Sequence, residues 1–281
     1  MTYKLPLGEW VASAVAWLEV NDRGLFDSIG AVIDTSTAGI ENGLLAIPFW
    51  LFAAIFIAIG YWRRGWKLAL FCAASLWLIN NMGFSEQTLV TLALIISATL
   101  ISLTVGIPLG IWAGRSDKAE AIIRPVLDFM QTMPAFVYLI PAAMFFGLGR
   151  VPGVIATVIF AMPPVVRLTS LGIRQVNKEQ VEAGIAFGCT PTQLLMKVQI
   201  PSAMAALFAG INQTIMMALS MVIIASMVGA GGLGNDVLSS ISRLDIGLGF
   251  ESGLGVVLLA IMLDRITESF GVKRNANNGS K

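Results

Sequence analysis

The chain has 281 residues, 56% of them hydrophobic and only 12% charged, where an ordinary soluble domain carries about 25% charge. A soluble fold of this length has no interior large enough for that apolar fraction, so the composition points to an all-α polytopic membrane protein. A net charge of +1 offers nothing to a nucleic acid, and the absence of histidine removes His-based zinc sites, Ser-His-Asp triads and histidine proton relays together.

From the N-terminus, Leu7, Trp10, Val11, Ala14, Trp17 and Leu18 repeat at helical spacing, and so do Leu25, Phe26, Ile29, Ile33 and Ile40. Glu9, Glu19, Asp27, Asp34 and Glu41 fall on the polar faces. Residues 1–41 therefore read as two amphipathic helices, lying on the outer membrane surface or packed on the bundle. The early apolar run from Val11 to Leu18 is short and flanked by acids, so no cleavable signal peptide is expected. A span needs about 20 mostly apolar residues. Seven candidates follow, over 42–62, 68–85, 87–114, 125–149, 151–166 with its continuation to 174, part of 198–235, and 248–263. The sixth run is too long for one span and holds the end of a loop, a helix and a glycine-rich turn. The first two spans (42–85) read as peripheral, and 86–272 as a five-helix core with a tail over 273–281. The cysteines, Cys72 and Cys189, read as small neutral residues.

Lysine and arginine set the orientation. Alternate loops hold Arg63, Arg64 and Lys67; Arg115, Lys118 and Arg124; Arg174, Lys178 and Lys197; and Arg265, Lys273, Arg274 and Lys281. The opposite side holds only Lys4, Arg23, Arg150 and Arg243, with Arg167 inside a span. The expectation is an N-terminus outside and a C-terminus inside.

One long polar segment, 175–201, falls on the cytoplasmic side. Asn177 is a good helix N-cap with Gln180 at the third position, and Gly188 suits the C-terminal turn. Thr190, Pro191 and Gln193 then form the signature of a capping box with proline at the first position. Pro201 restarts the chain as the sixth span begins. The prediction is two short helices, the first a rod of about 15 Å. Ala183, Gly184 and Gly188 keep one side thin enough for a partner backbone, and Glu182 offers a charge. The run Glu182-Ala183-Gly184, with Gly188 four residues on and Pro201 after an apolar pair, resembles the coupling loop of binding-protein-dependent ABC importers. Their permeases carry E-A-A, so Gly184 here is a small-for-small departure. The resemblance runs from about residue 88 to 266. It includes Gly110-Ile-Trp-Ala-Gly114-Arg115, the stretch from Arg124 through Asp128, Gln131, Pro134 and Tyr138 to Pro141, and Leu259-Ala-Ile-Met-Leu-Asp264-Arg265. These look like permeases of the osmoprotectant branch (glycine betaine, proline betaine, choline), which has the methionine-importer-like permease fold.

That resemblance implies a multi-pass protein of the bacterial inner membrane that carries no cofactor. It implies a second copy of the chain, two cytoplasmic ATP-binding subunits that hold ATP and Mg, and a periplasmic or lipid-anchored substrate-binding protein. Glu182, Ala183, Gly184, Gly188 and Pro201 would face the ATPases.

Other features are weaker. Gly229-Ala-Gly231-Gly-Leu-Gly234 satisfies G-x-G-x-x-G but follows a membrane helix, so it reads as a flexible or close-packed turn and not a dinucleotide site. No G-x-x-x-x-G-K-[ST] occurs, which leaves ATP chemistry to another chain. Gly106, Gly110 and Gly114 share one helix face and predict close helix packing, within or between subunits. Asp128 and Arg167 are the charges expected in the membrane; Asp128 pairs with Arg124 one turn back or with Arg167 on the next span. Asn212, Gln213, Met216, Met217, Ser220 and Met221 form a polar-plus-methionine face suited to a soft organic cation, to which Phe129, Phe136 and Tyr138 could add cation–π contacts. A stand-alone transporter or channel would not need the E-A-G loop. A seven-span retinal receptor would need a lysine in the last span, which has none before Lys273, and an intramembrane enzyme would need clustered acids or histidines.

Overall fold

A computed structural model describes residues 7–271; the tail residues Lys273, Arg274 and Lys281 lie outside the described residues. Every regular element among those residues is helical. In chain order they are α1 Leu7–Asn21, α2 Arg23–Leu45, α3 Phe49–Arg64, α4 Trp66–Asn81, α5 Ser85–Arg115, α6 Asp117–Thr132, α7 Ala135–Phe146, α8 Arg150–Arg174, α9 Lys178–Ala186, α10 Pro191–Leu194, a π-helical segment Leu195–Gln199, α11 Ile200–Ser226, α12 Leu233–Arg243 and α13 Ile246–Gly271. Four stretches are long and apolar enough to cross a membrane: α5, α8, the continuous helix Pro191–Ser226 and Ile246–Phe270. Two sharply bent pairs, α2 with α3 and α6 with α7, bring the number to six if each pair is one span.

The bends revise the expectation of straight spans over 42–62 and 125–149. α2 meets α3 at 94° and α6 meets α7 at 95°. Each break falls at a proline, Pro48 or Pro134, that caps the following helix in an extended conformation. A proline ring forces the residue before it out of the helical region, and Met133 accordingly sits at ψ 136. α3 and α4 form a hairpin around Gly65, and each has 16 residues, about 24 Å of helix against a hydrocarbon core of about 30 Å. Their inner faces join the main apolar core, where Phe52, Leu68, Leu76 and Ile79 meet Leu92 of α5 and Leu259 and Met262 of α13.

The centre of the molecule is α8, held between α5 and α11. The glycine stripe predicted on α5 meets α8 of the same chain. A Cβ on Gly110 would lie 2.6 Å from Thr169 Cβ and 2.7 Å from the Val166 carbonyl oxygen. One on Gly106 would lie 2.6 Å from Val165 Cγ1. The opposite face of α8 is equally tight: a Cβ on Gly172 would stand 2.8 Å from Ala206 Cβ, and one on Gly210 of α11 3.1 Å from Val165 Cα. Small residues let three backbones approach, so dispersion contacts replace the hydrophobic drive that lipid cannot supply.

α2 is packed on the bundle. Its Thr37 is fully buried, and Asp34 and Glu41 both bind Arg150 at the start of α8, each at 2.9 Å. Gly110→Ala should lower the unfolding temperature in detergent by several degrees, a cost of about 1–3 kcal/mol from overpacking. Gly39→Ala on α2, where an added Cβ meets nothing within 4 Å, should leave it unchanged or raise it through helix propensity. Equal responses at both sites would contradict the packing described.

Candidate functional site

The polar segment between α8 and α11 folds on itself. Asn177 caps α9 by accepting from the Glu179 amide at 2.9 Å. At the other end Gly188 has φ 77; its amide donates to Ile185 O at 2.9 Å, and the Cys189 amide to Gly184 O at 3.0 Å. This is the Schellman closure of a helix, and its left-handed residue admits a side chain only with strain. Thr190 and Gln193 then complete a reciprocal capping box at the start of α10.

α10 is not a separate helix, and Pro201 does not restart the chain. The backbone runs unbroken from Pro191 to Ser226. Proline cannot donate to the carbonyl four residues back, and its ring would strike it. The turn over Leu195–Gln199 widens ahead of Pro201, with the Ile200 amide reaching back five residues to Leu195 O. The element is thereby continuous with a membrane helix.

Glu182, Ala183 and Gly188 are exposed and Gly184 is buried. A Cβ on Gly184 would lie 2.7 Å from Leu194 Cδ1, so its small size seats α9 on α10 instead of opening a surface to a partner. Ser202 also donates to Gln180 Oε1 at 3.3 Å, tying α9 to α11. The large apolar side chains left outside are Ile185, Phe187 and Met196, with Phe187 89% exposed.

Arg167 of α8 donates to Asp128 of α6 at 2.6 Å. The pair lines a cavity of about 290 Å³ that Arg124 and the buried Ser170 also border. Next to it Arg174 holds the start of α6 to the end of α5, reaching Asp117 at 2.6 Å, Glu120 at 2.8 Å and the Ala113 carbonyl at 2.7 Å. The pairings of Arg174 have no local signal in the chain, because its acidic partners sit 57 and 54 positions away.

The residues expected on one pathway face divide. Asn212, Gln213 and Met216 line a cavity of about 450 Å³ with Phe208, Thr267 and Glu268. Asn212 donates to Asp264 Oδ1 at 3.0 Å and accepts from the Thr267 hydroxyl, so it links α11 to α13. Met221 is fully buried beside Leu139 and Ala156, with Tyr138 at the edge of that cluster. Met217 packs against the main core, whereas Ser220, Phe129 and Phe136 are exposed. The 3.6-residue period puts Met217 and Met221 on the polar face, but α7 and α8 side chains close over Met221 and the main core takes Met217. Gly229, Gly231 and Gly232 all have positive φ in the turn from α11 to α12, and the Gly149 amide binds Val228 O there at 2.7 Å. Just beyond, burial pushes the Asp236 carboxyl above the usual carboxylate range, and its Oδ2 has no hydrogen-bond partner. Among the described residues no cluster of acids and thiols could hold a metal ion.

A bundle of apolar helices with a capped polar element between two of them is the architecture of a multi-pass membrane protein. Residues 106–270 match the model of the binding-protein-dependent transport system inner membrane component, and the chain belongs to that family. It is 46% identical over 277 residues to the glycine betaine transport system permease protein OpuAB of Bacillus subtilis, covering 99% of this chain and 98% of that one. It is 49% identical over 273 residues to the glycine betaine/carnitine transport permease protein GbuB of Listeria monocytogenes, covering 96% of each. The glycine betaine/proline betaine permease ProW of Escherichia coli is 47% identical over 267 residues, 95% of this chain and 75% of its own length. The fold resembles that of the MetNI methionine ABC transporter in its inward-facing conformations, with a TM-score of 0.60 at 18% identity, covering 65% of this chain and 91% of that one.

The Asp128–Arg167 contact predicts a charge-swap result. Asp128→Arg should lower the unfolding temperature by setting two guanidinium groups together, and adding Arg167→Asp should restore at least half of the loss. No restoration would show that the two side chains are not partners.

Proposed function

We propose that this chain is the permease subunit of an ABC importer for quaternary ammonium compatible solutes such as glycine betaine, proline betaine and carnitine. Two copies form the pathway, two cytoplasmic subunits bind ATP and Mg, and a periplasmic or lipid-anchored binding protein delivers the solute. The segment 175–201 docks on the ATPases, and 86–272 is the moving core, with 42–85 at its lipid-facing edge and residues 1–41 outside. The N-terminus is extracytoplasmic and the C-terminus cytoplasmic.

The observation that carries this reading is the coupling element itself. It is closed internally by caps at both ends, so its backbone needs nothing from a partner. It nevertheless leaves Ile185 59% and Phe187 89% exposed next to the charge of Glu182. Exposed apolar side chains beside a charge form a docking surface. The basic residues support the orientation. Arg174 leads into the coupling element and is bound to α5 and α6 near Arg115 and Lys118. Arg63 and Arg64 meet the Ser269 carbonyl and Glu268 near the end of α13. The cavity formed by Asn212, Gln213, Met216 and Phe208 offers amide, thioether and ring surfaces that suit an N-methylated cation.

Glu182→Lys and Gly188→Val should separate ATP hydrolysis from uptake. In proteoliposomes holding the complete importer, both variants should keep ATPase activity while solute uptake falls about tenfold or more, a change of at least roughly 1.4 kcal/mol. Wild-type uptake in both variants would show that the element does not couple.

A further inference from the structure

Asp27, Asp34 and Glu41 stand seven residues apart on α2. Seven residues are close to two helical turns, so the three carboxylates share one face. Arg150, at the start of α8, answers that face and binds Asp34 and Glu41. Asp27, one repeat further, forms no hydrogen bond or ion pair with any described residue. It borders a cavity of about 520 Å³ whose wall also holds Arg23, Phe26, Asp34, Phe145 and Phe146.

The three rings touch one another. Phe26 and Phe145 stack with centroids 4.4 Å apart, and Phe146 stands edge-on to Phe26 at 5.8 Å and to Phe145 at 6.5 Å. Rings carry negative π faces and attract weakly hydrated organic cations more than metal ions, which hold their water. A carboxylate with no partner beside them adds charge attraction. Arg23 lies one turn before Asp27 and is also unpaired among the described residues, so it can hold a carboxylate by two parallel hydrogen bonds. Cationic and anionic partners, spaced along one helix and joined by an aromatic wall, match a small zwitterion with an N-methylated ammonium at one end. The cavity adjoins the Arg150 end of α8, a helix of 25 residues, and so lies about 37 Å along that axis from its coupling end.

We propose that this cavity is a solute-binding site on the permease itself, at its extracytoplasmic end, which takes the quaternary ammonium group between Asp27 and the Phe26–Phe145–Phe146 cluster and the solute carboxylate on Arg23. The proposal rests on the cargo and orientation given under Proposed function. The site is separate from the Asn212 cavity between α11 and α13, and it would receive solute before the pathway opens.

The test uses the permease–ATPase complex in nanodiscs without binding protein. Binding of tetramethylammonium and of glycine betaine is read by saturation-transfer NMR, and uptake by the complete importer is measured alongside. Wild type should bind both probes saturably, and acetate should displace neither from the aromatic wall. Asp27→Asn and Phe145→Ala should weaken both about tenfold, Arg23→Gln should weaken glycine betaine alone, and Ala31→Trp, which fills the cavity without removing a ligand group, should abolish binding. Should wild type import glycine betaine yet bind neither probe, or should Asp27→Asn and Ala31→Trp bind as wild type does, the site is excluded. If wild type imports no glycine betaine, the cargo reading fails, and tetramethylammonium binding that is lost in Asp27→Asn and Ala31→Trp still upholds the cavity as a cation site.

Discussion

Everything in this fold depends on how closely α5 and α11 can approach α8. In a membrane, helices gain nothing by hiding apolar side chains from one another, because lipid solvates them equally well. What remains is contact between backbones, and that needs residues without bulk. Gly106, Gly110 and Gly114 on one face of the clamp, and Gly172 and Gly210 on the other, supply it. Adding one carbon at most of these positions would bring atoms within 3 Å of a neighbour. The other helices pack around this trio: α13 and the α3–α4 hairpin close over α5 and α11 through the main apolar core, and α2 is pinned to α8 by Arg150.

The clamp also determines how movement could travel. The coupling element reaches the bundle by two routes, through Gln175–Asn177 into α8 and through the widened turn at Leu195–Gln199 into α11. These are the two helices whose contact depends on Gly172 and Gly210. Gly184 seats α9 against Leu194, which packs the two short helices together. The Asn212 bridge to Asp264 and Thr267 extends the connection from α11 to α13. On the proposed coupling role, a loop built this way would turn a small displacement at its surface into sliding between packed helices, the kind of shear that tight interfaces permit.

Local chemistry was readable from the chain, and distant partnership was not. The caps at Asn177, Gly188 and Thr190 are signals spanning a few residues, and the hydrogen bonds follow those spacings. The helical membrane class was fixed by composition alone. Pro48 and Pro134 were harder, since a proline inside an apolar run fits either a kinked span or a right-angled break, and only the surrounding packing decides. The glycine stripe announced a close approach but could not name α8 as its partner. A small residue on a polar loop looks like room for a partner, yet the neighbour of Gly184 is Leu194, ten positions away in the same loop. Pro201 reads as a restart in the sequence because the widened turn over Leu195–Gln199 that absorbs it has no sequence signature. In the sequence Arg174 and Arg150 mark only topology, whereas in the fold each holds two acids.

Reconstitution tests the central claim, that this chain is a conduit whose work is done by ATP on other subunits. The purified chain is placed in liposomes and uptake of labelled glycine betaine is followed, first alone, then with the ATPase subunits and ATP, then with the binding protein added. As the permease of a binding-protein-dependent importer it should be inert until all three components and ATP are present. Sustained accumulation by the chain alone, driven by an ion gradient or by none, would contradict that assignment.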